Sequence, residues 1–165
     1  MSDWNPQTWS RLLRRYAGPL TIYAAQWSSD PEDAVQEAFL ELFQQPEPPL
    51  NVSAWLFTVT RNKSISASRS RSRRVRHESQ HADAHPCWFE ESFETGLDAR
   101  EISRLLDDLP GEQREILVLR LWGELTFEEI AELTSSSSST CHRRYQEALE
   151  QLRKKVGMPC PNSNP

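Results

Sequence analysis

Apolar residues recur at helical spacing along most of the chain and almost nowhere alternate as a strand would require. Trp9, Leu12, Leu13 and Tyr16 stand at i, i+3, i+4 and i+7, and Gly18-Pro19 is expected to end that helix. Leu20, Tyr23, Ala24 and Trp27 repeat the spacing in what reads as a second helix. The stretch "DPEDAVQEAFLELF" opens a third, with Asp30 as N-cap, Pro31 at the first helical position and acids in the first turn, where the helix dipole favours them. Its inner stripe is Val35, Ala38, Phe39 and Leu42. A fourth follows, with Trp55, Leu56 and Val59 facing inward and a basic tail.

From about Ser70 to Leu97 the period is lost among Ser, Arg, His and acids, as in an interdomain tether. It resumes at Ile102, Leu105, Leu106 and Leu109, stopped by Pro110. "EQREILVLRLW" is apolar around much of its circumference, which suits the central helix of a small bundle, with Gly123 as its C-terminal cap. The expected fold is therefore all-α: two small helical domains joined by a flexible linker, the second containing a helix-turn-helix. The boundaries read as 1–76, a linker 77–98, a second domain 99–157 and a tail 158–165.

Five consecutive serines, Ser135 to Ser139, decide between a tether and a turn. Upstream, Thr126 and Glu129 have capping-box spacing, and Phe127, Ile130 and Ala131 form the inner face of a short helix. Downstream, Cys141, Tyr145, Ala148, Leu149, Leu152 and Val156 form a second stripe. Two helices joined by a few residues give a helix-turn-helix outline, so the serines are its turn. With that stripe inward, Ser139, Arg143 and Gln146 point outward, and His142 and Arg144 take the flanks. Ser138 begins the same segment. Such residues suit entry into a major groove. Pattern alone leaves open an ordinary packing helix with a solvated polar face.

Charge is segregated. Every charge from Ser28 to Pro49 is acidic and every charge from Arg61 to His77 is basic, which points to different partners for different surfaces. With Val35, Phe39 and Leu42 buried, Asp33, Glu37, Leu40, Glu41 and Gln44 face outward and Gln36 lies at the margin. That face reads either as a protein-binding patch or as a solvated acidic face carrying one leucine. Three scattered cysteines, no signal-peptide pattern and no spanning apolar run point to a reduced cytoplasmic setting and no membrane. His77, His81, His85 and Cys87 have the spacing of a zinc set, but Pro86 interrupts it and no closed metal motif is present, so neither metal nor cofactor is expected. No phosphate loop, nucleophile elbow or catalytic triad pattern occurs, and no enzyme is expected.

"DPEDAVQEAFLELF" followed by "AWLFTVTRN", and then "LLDDLPGEQREILVLRLWGELTFEEIAEL" with a helix-turn-helix, resembles the extracytoplasmic-function (ECF) group of bacterial sigma factors. The resemblance implies binding to core RNA polymerase and direction to promoter DNA. It implies docking of Asp33, Gln36, Glu37, Leu40, Glu41 and Gln44 on the clamp helices of the beta-prime subunit. It implies minus-ten contacts from Arg61, Asn62, Lys63, Ser66, Arg69 and Arg73. Minus-thirty-five contacts would come from Ser138, Ser139, His142, Arg143, Arg144 and Gln146. Control by an anti-sigma factor is common in that family. The chain departs from the pattern at Ser66, where many members have Asp, and at Ser68, where a larger apolar residue is usual. Ser135 and Ser136 replace the usual Gly and branched apolar residue of the turn. The rival reading is a stand-alone helix-turn-helix regulator binding operator DNA without polymerase; a third is an interaction module that has lost promoter activity.

Overall fold

The computed structural model describes residues 5–75 and 104–157, and among these there is no strand. The chain divides into two compact units, Met1–Gly96 and Leu97–Pro165.

The first unit packs α1 (Pro6–Ala24), α2 (Pro31–Phe43) and α3 (Val52–Val75) against one another. Asn5 caps α1, its Oδ1 accepting the Thr8 N–H at 2.7 Å. The helix then runs unbroken through Gly18 and Pro19, so the two N-terminal helices expected from the sequence are one. Proline interrupts a helix because its ring lacks the N–H donor, at about 3 kcal/mol. Here Tyr16, Leu20 and Tyr23 stay on one buried stripe across the proline. Burying side chains of that size stabilises by about 1.5–3 kcal/mol each, which outweighs the loss. The Thr21 hydroxyl also donates to the Ala17 carbonyl at 2.8 Å.

In α2 the cap and stripe match the sequence: Asp30 accepts from Asp33 N–H, and Ala34, Val35, Ala38, Phe39 and Leu42 are buried. The inner stripe of α3 is instead Ser53, Leu56, Phe57, Thr60 and Ser64. Trp55 and Val59, expected inward, are half-buried. Phe57 is the anchor, its ring edge-on to Tyr23 at 5.1 Å. Polar residues continue its stripe and hide it from an apolar count; Ser64 Oγ is satisfied by the Thr60 carbonyl at 2.8 Å. The helix also continues through residues 70–75, where the apolar period had already failed.

The second unit holds helical residues 104–107, α4 (Gly111–Leu121), α5 (Phe127–Thr134) and α6 (Ser138–Val156). Ile116, Leu117, Val118 and Leu119 are all buried, as the near-circumferential apolar pattern requires of a central helix. Arg114 donates to the Leu106 and Asp107 carbonyls at 2.9 and 2.8 Å, closing the end of the preceding helical turn. Gly123 is not the left-handed cap; Glu124 holds that conformation at φ 54°. Gly123 is buried, and Leu125 ties the turn by donating to Leu119 and accepting from Arg120 Nη1. Cys141 and Ala148 are buried in α6, Tyr145, Leu149 and Leu152 are half-buried, and Val156, expected on the stripe, is 52% exposed in the last turn. Gly157 closes that helix at φ 68°. No described helix is long and apolar enough to cross a membrane.

Candidate functional site

Three surfaces carry the candidate residues. On α2, Asp33, Gln36, Glu37, Leu40 and Gln44 are exposed and Glu41 is half-exposed. Leu40 is 62% exposed although every other apolar residue from Ala34 to Leu42 is buried. Phe43, one turn on, is 57% exposed with its ring edge against Trp9 at 5.6 Å. Sequence reasoning missed Phe43; its i+3 spacing from Leu40 was the available signal. Together they make an apolar ridge bordered by acids.

Along α3, Arg61, Asn62, Ser66 and Arg69 line one open groove of about 410 Å³ with Ile65 and Ser70. Lys63 does not join them. Its Nζ lies 3.2 Å from Glu37 and 3.0 Å from Glu41, tying α3 to the acids of α2. The Glu41 hydrogen bond, the largest influence, and that of Glu37 hold the Lys63 ammonium above the usual lysine value, against the opposing effect of burial. Arg73 is in α3, its side chain outside the described ones. Arg61 lies over the Trp27 ring at 5.5 Å, a cation–π contact that presets its guanidinium and that the sequence spacing did not suggest. Ser68 lines an open hollow of about 570 Å³ beside Trp27, with Ser28, Asp30 and Arg71 also on its wall.

In the second unit the serine run is divided between two helices. Ser135 ends α5 in the left-handed region at φ 54°, and Ser136 N–H returns to the Ala131 carbonyl at 2.9 Å. Ser137 caps α6 by accepting the Thr140 N–H at 3.2 Å. The capping box upstream is complete: Thr126 N–H donates to Glu129 and Glu129 N–H to Thr126 Oγ1. Ser138 Oγ donates to Glu128 across the turn, and the Glu128 carboxyl is held below its usual range first by its own backbone N–H and next by that hydroxyl.

Ser139, His142, Arg143 and Gln146 are exposed on the first turns of α6. Arg143 pairs with Glu147 one turn on at 2.7 Å, while Arg144 lies to the side against Glu112 of α4 at 2.5 Å. Phe127 meets the rings of His142 and Tyr145 edge-on at 5.1 and 5.6 Å, and Arg120 lies over it at 5.0 Å. This cluster orients α6 from α5, and the sequence stripe identified only part of it. His77, His81, His85 and Cys87 lie outside the described residues; among those described, no group of ligands could hold a metal.

The family described as sigma-70 region 2 matches residues 7–74, and that described as sigma-70, region 4 matches residues 99–152. The ECF RNA polymerase sigma factor EcfG of Rhodopseudomonas palustris (strain TIE-1) is 30% identical over 124 residues, covering 73% of this chain and 68% of that protein. The ECF RNA polymerase sigma factor SigK of Mycobacterium ulcerans (strain Agy99) is 26% identical over 133 residues, covering 74% and 70%. Among solved structures, the sigma factor RpoE of Bartonella quintana, in complex with the anti-sigma factor NepR, superposes with TM-score 0.59 at 24% identity, covering 92% of this chain and 97% of that one. CnrH, in complex with the cytosolic domain of CnrY, gives TM-score 0.54 at 20% identity, covering 93% and 90%.

Region 2 followed by region 4 defines a sigma-70-type chain. Within that class it belongs to the ECF sigma factors. It is a sigma factor directing promoter-specific transcription, and the stand-alone regulator is not favoured, because such a regulator gives no reason for a region 2 domain ahead of the helix-turn-helix.

Proposed function

We propose that the exposed face of α2 is where this sigma factor docks on the beta-prime clamp helices of core polymerase, with α3 and α6 handling promoter DNA. The observation that carries the reading is Leu40, an apolar anchor exposed beside Phe43 and bordered by Asp33, Gln36, Glu37, Glu41 and Gln44. An apolar anchor supplies affinity, and surrounding acids select a basic partner. The groove of Arg61, Asn62, Ser66 and Arg69 offers phosphate neutralisation beside an amide able to pair an extruded base edge, serving the minus-ten element. Ser138, Ser139, His142, Arg143 and Gln146 would meet the minus-thirty-five element, with Arg144 steadying α6 from the side.

In this reading residues 1–76 form the docking and minus-ten domain, 77–98 a linker, 99–157 the upstream DNA domain and 158–165 a tail. The protein works in the cytoplasm, without a cofactor and without catalysis of its own. The complex of the similar sigma factor RpoE with the anti-sigma factor NepR supports an anti-sigma partner here too.

The test is titration of the full chain onto core RNA polymerase, with a Leu40→Asp, Glu37→Lys double variant alongside. Both side chains are exposed and the Glu37–Lys63 pair that is lost is a surface one, so the variant should stay folded with a melting temperature only a few degrees lower, while binding falls by roughly 100-fold or more, as for a central anchor plus a reversed charge. Unchanged binding would remove α2 as the docking element.

A further inference from the structure

Lys63 resembles a DNA contact by its place in the sequence, yet its ammonium is committed to α2, within hydrogen-bonding distance of both Glu37 and Glu41. Those two carboxylates belong to the face assigned above to polymerase, so the inference rests on that reading. The acids are themselves well exposed, at 53% and 44%, whereas Lys63 is 27% exposed. The α2 backbone already places them, with buried Ala38 and Leu42 fixing the helix from beneath. They do not need Lys63 to hold their positions.

What Lys63 changes is their charge. A cation about 3 Å from two carboxylates cancels much of the negative potential that would attract a basic partner. We propose that Lys63 is an internal competitor at the docking face: it occupies Glu37 and Glu41 in the free protein, and basic groups of polymerase must displace it to dock. Lys63 thereby tunes affinity downward and sharpens selectivity, since only a partner bringing its own cations regains what the displaced pair loses.

The consequence runs opposite to the usual effect of deleting a lysine near a binding face. In Lys63→Met, the methionine keeps the apolar stem and the helix preference while removing the charge. Binding of this full-length variant to core polymerase at low salt should tighten by roughly two- to fivefold, the range of an exposed ion pair. The gain should shrink as salt rises, because exposed charges are screened. Lys63→Arg should bind like the parent. In a Glu37→Gln, Glu41→Gln background the same Lys63→Met change should have no effect, which a merely structural role would not produce.

Parent-like or weaker binding of Lys63→Met overturns the competitor. So does an equal gain in the glutamine background. A parent protein that does not bind core polymerase, or one indifferent to the Leu40→Asp, Glu37→Lys change, brings down the docking reading first and this inference with it.

Discussion

Ser135 is the residue at which the local chemistry is least suited to its backbone. It holds φ 54°, a conformation in which a side chain crowds the following carbonyl by roughly 1–2 kcal/mol and which glycine enters freely. Glycine gives back part of that gain through its larger unfolded-state entropy, leaving a net of about 0.5–1 kcal/mol. Ser135→Gly should therefore raise the melting temperature of the second unit by roughly 2–6 °C, measured on the full chain by calorimetry or circular dichroism. A lower midpoint would mean that the Ser135 side chain contributes more than its strain removes. The sequence made this strain legible, because a serine stands where the resembled family uses glycine. Glu124 shares the conformation and was not legible. Nothing in the pair Gly123-Glu124 says that the glycine is buried and the glutamate takes the unusual angle, a choice set by the hydrogen bonds of Leu125 and Arg120.

Whole elements were most legible where capping and stripe agree. Asp30 with Pro31, and Thr126 with Glu129, mark helix starts that the structure reproduces bond for bond. Legibility failed where tertiary packing outweighed a local signal. Gly18-Pro19 reads as a stop, yet a continuous buried stripe carries α1 through it. In α3, Thr60 and Ser64 do duty as core residues, so an apolar count selected Trp55 and Val59 instead. The outward face of α2 followed from rotation of the helix alone, whereas the commitment of Lys63 to that face required knowing how α3 lies against α2. The distal half of α3 offers its own test. Ser68 lines an open hollow beside Trp27 and Ala67, so Ser68→Leu should fill space rather than displace packed atoms. Stabilisation of about 0.5–1.5 kcal/mol is expected, as for other cavity-filling changes, measured by urea unfolding. A loss of stability would mean that the hollow is hydrated and polar in use.

At the scale of the whole molecule, charge sets the conditions under which DNA can be read. The chain carries net charge -5, and residues 104–157 hold eight Lys and Arg against ten Asp and Glu. Several of those cations are already paired: Arg143 with Glu147, Arg144 with Glu112, Lys155 with Asp108. Each phosphate neutralised adds nearly one unit to the slope of log affinity against log salt, so the few cations left over in residues 104–157 give that unit weak binding and a shallow slope. In the proposed function polymerase supplies the remaining affinity, and specificity comes from two faces held at once rather than from either alone. Effective concentration then matters, since a second contact made within one complex needs little intrinsic strength. Selection from a randomised duplex library tests this directly. The protein alone should enrich almost nothing at physiological salt, whereas its complex with core polymerase should enrich two separated elements at a fixed spacing. Enrichment of a palindrome by the free protein would instead place the whole of DNA recognition in the second unit, and the exposed acidic face of α2 would then need another purpose than the docking proposed for it.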